Sequence, residues 1–183
     1  MFNITEYFII IDKIIYNILS RTKKEILTFD ILDTEKSKKN KLIALKEKQR
    51  QMNIGEIWQE VLGNYDGYTN LKIGHESGLD IISINKKIAI ELKNRTNTDN
   101  FSSKKANLSK LAKFKKNNPD YRCIYANIND STKNKTLKGF NKIIIHDGVV
   151  IEHHVGYEFL NFILENNTEL IISFIKETID KYT

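Results

Sequence analysis

Asp80, Glu91 and Lys93 are charged residues set into or beside apolar, strand-like runs, Gly78-Leu79-Asp80-Ile81-Ile82-Ser83-Ile84 and Ile88-Ala89-Ile90-Glu91-Leu92-Lys93. Side chains alternate with period two along a strand, so Glu91 and Lys93 share one face while Ile88, Ile90 and Leu92 take the other. A two-residue turn at Asn85-Lys86 pairs residues whose numbers sum to 171 and sets Asp80 opposite Glu91 on that same face. Two adjacent carboxylates repel, and one ammonium cannot neutralise both, so the cluster is costly to bury for stability alone. A divalent cation resolves the conflict. Carboxylate oxygens with water and phosphate oxygens suit Mg²⁺, and the Lys93 ammonium can orient or activate an attacking water.

Charge distribution supplies a second signal. The chain carries a net +6, and between Asn85 and Asp120 ten Lys/Arg face three acidic residues, so this stretch alone accounts for +7. A local basic excess of that size points to a polyanionic partner, with nucleic acid ahead of an anionic membrane because no basic amphipathic helix with bulky aromatics is evident. Ser102, Ser103, Lys104 and Lys105 open a helix pattern where the macrodipole disfavours cations, and with free N–H groups they form a candidate phosphate cradle. Asn94, Arg95 and Asn97 add groups that hydrogen-bond base edges or phosphates. Lys110, Lys113 and Lys116 lie away from Leu108, Leu111 and Ala112 and read as a solvated face.

These residues need a scaffold. Residues 3–19 form an amphipathic helix pattern with Ile4, Phe8, Ile11, Ile15 and Ile18 or Leu19 at helical spacing. Residues 34–40 read as a loop or frayed helix start, Leu42 to Gln49 as a mostly polar helix, and Gly55 as the opening of a short helix that Gly63-Asn64 stops. Strands follow at 69–73, 79–84 and 88–93. A helix capped by Ser102 or Ser103 runs to about Lys116, and a strand covers 121–128. A hairpin about Asp147-Gly148 and two helices, near 156–165 and 168–181, complete the pattern. Helix, three strands, helix and strand in that order imply an α/β fold, a mixed β-sheet core flanked by helices. Trp58 reads as a core anchor, Cys123 as buried and inert, and the His153-His154 pair, on a terminal strand, as structural. His75 and Glu76 lie in the loop leading to Asp80.

The order of elements and the Asp80…Glu91-x-Lys93 spacing resemble the PD-(D/E)XK nuclease superfamily, with Gly78-Leu79 standing where many members carry Pro before the Asp. Three segments resemble, more narrowly, the type II restriction endonucleases that cut GGNCC-like sites. They are Gly55-Glu56-Ile57-Trp58-Gln59, Gly78-Leu79-Asp80, and the run from Glu91-Leu92-Lys93-Asn94-Arg95 through Asn100 into Ser102-Ser103-Lys104-Lys105-Ala106-Asn107. The likeness covers roughly residues 50–165. It implies that Asp80, Glu91 and the Leu92 backbone carbonyl ligate Mg²⁺, that Lys93 acts on the water, and that the segment ending at Asn107 contacts DNA. It also implies a helix glutamate near the metal, Glu56 or Glu60, with Glu56 favoured because it lies in the matching segment. The expected activity is Mg²⁺-dependent hydrolysis of double-stranded DNA at a short palindromic site, leaving 5′-phosphate ends. A junction-resolving or repair nuclease of the same fold, and a non-catalytic nucleic-acid-binding module, are the alternatives.

A chain of 183 residues, 40% hydrophobic and 28% charged with a single proline, is expected to form one folded nuclease domain, with a catalytic core at about 53–130. One cysteine excludes an internal disulfide framework and a Cys-based zinc site, and the first twenty residues lack a signal-peptide pattern, so a cytoplasmic location is expected. No apolar run approaches the ~20 residues that cross a bilayer. A palindromic duplex has a two-fold axis, so one Asp…Glu-x-Lys set per chain leads to the expectation of a homodimer. Apolar positions in excess of one packing face, Ile9, Ile10 and Ile14 in the first helix and Phe159, Phe162, Ile171, Ile172 and Ile175 near the end, are its candidate interface.

Overall fold

The computed structural model describes residues 2–21, 28–72, 74–95, 100–129 and 140–183. Helix α1 (Ile4–Leu19) starts where the Asn3 side chain accepts hydrogen bonds from the N–H groups of Thr5 and Glu6. Helix α2 (Glu35–Gly63) is capped by the Thr34 hydroxyl, which accepts from Ser37 N–H, and is continuous over 29 residues. Gly55 therefore lies inside a helix and does not open one, and of the two readings of 34–40 the helix start holds, since these residues form the cap and first turns of α2. A lone glycine costs a helix only about 1 kcal/mol, too little to break it. The glycine that matters is Gly63, where an added Cβ would lie 2.6 Å from Asn70 Cβ and force the helix end off the first strand.

The sheet has six strands in the order β1 (Thr69–Asn70), β2 (Ile81–Ser83), β3 (Ile88–Arg95), β4 (Arg122–Asn129), β6 (Val149–Val155), β5 (Phe140–His146). Strands β3, β4 and β6 run parallel and the outer pairings are antiparallel, giving the expected mixed sheet. The β2–β3 register is Ile81 with Ile90 and Ser83 with Ile88, the pairing expected from the sequence. Its turn is wider, spanning residues 84–87, with Lys87 at φ 53°. The β5–β6 turn places Asp147 and Gly148 at φ 47° and 75°, the left-handed pair of a type I′ hairpin. Strand β6 is an inner strand, since β5 takes the edge; His153 and His154 are buried there, not terminal.

Helix α3 (Phe101–Asn117) crosses one face of the sheet, and α1, α2, α4 (Tyr157–Leu164) and α5 (Thr168–Tyr182) pack on the other. Asn100, not Ser102 or Ser103, caps α3: its side chain accepts from Ser103 N–H, because it stands where the chain enters the helix in extended conformation. The larger core joins Tyr7, Ile11, Ile57, Phe159 and Ile171 to Ile90 and Ile124. The smaller joins Leu108, Leu111 and Ala112 to Ala89, Cys123 and Tyr125. Phe159, Ile171, Ile172 and Ile175 are buried in the larger core, and Ile14 and Phe162 pack against it, so these positions are not spare surface. Four helices and a strand layer meet there, which uses more than one face of each terminal helix. Ile9 and Ile10 remain 54% and 41% exposed. Among the described residues no helix is long and apolar enough to cross a membrane.

Candidate active site

Asp80 precedes β2 and is locked to β3 at both ends of the residue. Its N–H donates to Ile90 O at 3.1 Å and its Oδ2 accepts from Leu92 N–H at 2.7 Å. One residue's N–H and C=O project to the same side of an extended strand, so the Leu92 carbonyl faces the edge that holds Asp80. Glu91 points to the α3 face and is 2% exposed; its Oε1 accepts from Lys93 Nζ at 2.6 Å. Glu91 Oε2 is buried and has no hydrogen-bond partner among the described residues. Burial pushes the pKa of both carboxyls up, and the Asp80 charge raises Glu91 further; Lys93 and Lys110 pull both back down.

These groups meet in one cavity of about 320 Å³, lined by Asp80, Glu91, Lys93, Gln59, Asn107 and Lys110, with His75 at its loop side. An unsatisfied buried carboxylate oxygen beside a second carboxylate is the donor set of a hard divalent cation. Asp80, Glu91 and the Leu92 carbonyl fit Mg²⁺ on that ground. Among the described residues no cluster of three or more His, Cys, Asp or Glu side chains competes for a metal.

Helix α2 reaches this cavity with Gln59, which donates to Asn70 Oδ1 at 3.0 Å. Glu56 and Glu60 line a neighbouring cavity with Arg21 and Lys72, and Glu56 is ion-paired to Arg21. The structure thus brings Gln59, one residue from Glu60, to the carboxylate pair. Trp58 packs against the larger core and also borders the space beside Leu92, Lys93 and Asn94. His75 Nδ1 lies 2.8 Å from Ser77 Oγ in the loop before Asp80. Glu76 borders the adjoining groove.

Beyond Lys93 the chain is held by β4. Asn129 Nδ2 donates to Asn94 Oδ1 at 2.8 Å and Asn94 O at 3.1 Å, and Asn127 Nδ2 donates to Arg95 O at 3.0 Å. Asn127 Oδ1 is 2.7 Å from His153 Nε2, so that nitrogen carries the proton. Burial, with Lys104, Lys142 and His154 nearby, pushes the His153 pKa down to about 4 and keeps the ring neutral at pH 7. Sequence reasoning missed Asn127 and Asn129, although their spacing of two at the end of an apolar strand marks a shared face. Asn97 lies outside the described residues. Ser102, Ser103 and Lys105 are exposed at the start of α3, and Lys104 Nζ sits 5.6 Å from the Tyr125 ring centroid. One N–H of the expected phosphate cradle, that of Ser103, is already taken by Asn100. Asn107 is 8% exposed and faces the carboxylates. Lys110 is exposed, as expected of a solvated face, and also lines the same cavity. Cys123 is buried, which pushes its thiol up to about 11.

A mixed sheet flanked by helices gathers two carboxylates and a lysine at the strand that leads into a basic helix, groups of the kind that metal-assisted hydrolysis of phosphate esters requires. The Eco47II restriction endonuclease family matches residues 9–155, and the chain belongs to that family. It is also similar to the type II restriction enzyme Sau96I of Staphylococcus aureus, at 27% identity over 120 residues, which are 62% of this chain and 44% of that enzyme. The chain therefore spans less than half the length of this relative.

Proposed function

We propose that the protein is a Mg²⁺-dependent type II restriction endonuclease of the PD-(D/E)XK kind, cutting double-stranded DNA at a short palindromic, GGNCC-like site and leaving 5′-phosphate ends. One observation carries the reading: Asp80, Glu91 and Lys93 line one cavity in which a buried Glu91 oxygen has no hydrogen-bond partner among the described residues. Family membership and the likeness to a type II restriction enzyme support the same class. Bound Mg²⁺ would neutralise the carboxylate pair, polarise the phosphate and acidify water.

The chain's own residues do the rest. Leu92 N–H fixes the Asp80 carboxylate, and the Lys93–Glu91 hydrogen bond holds the ammonium beside the acids. In that position Lys93 orients the attacking water and offsets charge growing on the phosphate oxygens. The Asn127 and Asn129 side chains anchor the backbone at Asn94 and Arg95, and Arg95 with Asn94, Asn97 and the start of α3 contacts the DNA. Two copies sharing the duplex's axis cut both strands, and Ile9, Ile10 and Tyr16 on α1 offer exposed apolar surface for their contact.

Incubation with plasmid DNA in Mg²⁺ or EDTA tests the reading. Discrete fragments in Mg²⁺ alone, with 5′-phosphates on sequencing the ends, are expected; retardation without cutting indicates a binding module instead. Light scattering at micromolar concentration should give twice 21.4 kDa, and a monomeric mass with full double-strand cutting would remove the stable dimer.

A further inference from the structure

Lys110 stands three residues after Asn107 on α3, and both side chains line the cavity of Asp80 and Glu91. Its stem passes the loop before Asp80. Gly78 has φ +65°, and a Cβ placed there would lie 3.4 Å from Lys110 Cδ, 3.6 Å from Cε and 3.9 Å from Nζ. The lysine stem therefore lies along the bare Gly78 backbone, and its charge reaches both carboxylates, lowering the pKa of each.

Lys93 is ion-paired to Glu91, and Lys115 donates to the carbonyls of Pro119 and Tyr121. Lys110 has no hydrogen bond or ion pair among the described residues. The site thus holds a second ammonium that is in no ion pair with its acids among the described residues. Past Gly78 the cavity opens into a groove of about 550 Å³, where Lys110 and Lys113 stand with His75, Asn117 and one acid, Glu76. An open groove with cations along it, ending at a carboxylate pair, has the charge pattern of a path for a nucleic-acid strand.

We propose that Lys110 is a catalytic residue whose Nζ contacts a non-bridging oxygen of the phosphodiester under hydrolysis, while Lys93 faces the water. The inference rests on the nuclease reading above. In the step it serves, a water oxygen bonds to phosphorus and the P–O3′ bond breaks. The water proton passes to solvent, and the leaving 3′-oxygen takes up a proton. Negative charge on the non-bridging oxygens grows toward the transition state, so the contact acts on rate more than on binding.

Single-turnover cleavage of plasmid DNA at saturating enzyme, in Mg²⁺, decides it. Lys110→Gln should slow cleavage by about a hundredfold, Lys110→Arg should recover part of the rate, and Lys116→Gln should match wild type, all with unchanged thermal midpoints. A Lys110→Gln rate within threefold of wild type overturns the assignment and leaves the nuclease reading intact. So does a slow Lys110→Gln whose midpoint has fallen and whose Lys110→Arg counterpart is equally slow. A wild-type protein that leaves every DNA uncut overturns the nuclease reading, and this inference with it.

Discussion

Glu91 and Glu152 lie on neighbouring parts of the same sheet, yet their surroundings are opposite. Glu91 pairs in register with Tyr125 on the α3 face, and Glu152 with Ile124 on the face of α4. Arg122 grips Glu152 with two hydrogen bonds of 2.8 and 2.7 Å, and His154 Nε2 lies 2.9 Å from the same carboxylate. That grip holds Glu152 below the ordinary carboxylate range, whereas burial and Asp80 push Glu91 above it. Both are glutamates on interior strands. The difference is whether the described residues satisfy the charge: at Glu152 they do, which makes a structural pair, and at Glu91 they leave one oxygen without a hydrogen bond beside a like-charged neighbour, the arrangement on which the proposed cation site rests.

The largest test of that contrast is activity. Glu91→Ala and Asp80→Ala should lower plasmid cleavage by about a thousandfold or more through loss of cation ligands. Glu152→Gln should leave cleavage within a few fold. Equal losses at the two glutamates would erase the distinction.

Ligand-linked stability gives the next effect. Excess Mg²⁺ should raise the thermal midpoint of wild type and of Glu152→Gln, since binding to the folded state stabilises it by RT ln(1 + [L]/Kd). It should leave Glu91→Gln unmoved in calorimetry.

Without metal, urea unfolding should separate the two in sign and in pH dependence. Glu152→Gln should lose about 1 kcal/mol at pH 7, kept small because Arg122 is 48% exposed. Glu91→Gln should be neutral or stabilising. The lowered pKa of Glu152 means its contribution is present above the unfolded value, about 4.3, and disappears as pH falls through the folded value. The raised pKa of Glu91 means its cost is absent below about pH 4.3 and complete once pH exceeds the folded value. The advantage of Glu91→Gln over wild type should therefore grow as pH rises, while the deficit of Glu152→Gln deepens with it. Parallel trends would contradict the contrast.

The smallest effect concerns the basic helix beside Glu91. Replacing Lys104 and Lys105 by Gln should flatten the salt dependence of DNA binding by up to about two units of slope. An unchanged slope would return both lysines to solvent.

Much of this was legible in residue order. The alternation of Ile88, Ile90 and Leu92 with Glu91 and Lys93 set the faces of β3, and the apolar runs around a polar turn set the β2–β3 register, because a slip of one residue would turn every side chain of the slipped strand to the opposite face and break its match to the larger core. Helix α1 and the Asp147-Gly148 turn were equally local matters of periodicity and left-handed backbone. The decisions that needed the third dimension concern which helix positions meet the strands. Glu56, Gln59 and Glu60 lie within about one turn of each other. The docking angle of α2 alone presents Gln59 to the carboxylates and turns Glu56 toward Arg21. Lys110 and Lys116 read alike as lysines on the outer face of α3. Only packing between distant segments sets Lys110 apart: its stem lies beside Gly78, more than thirty residues earlier in the chain, and its side chain lines the cavity. Periodicity reports how a segment faces its nearest neighbours. Which polar side chains share a cavity depends on packing between segments far apart in the chain, and that is settled when the core closes.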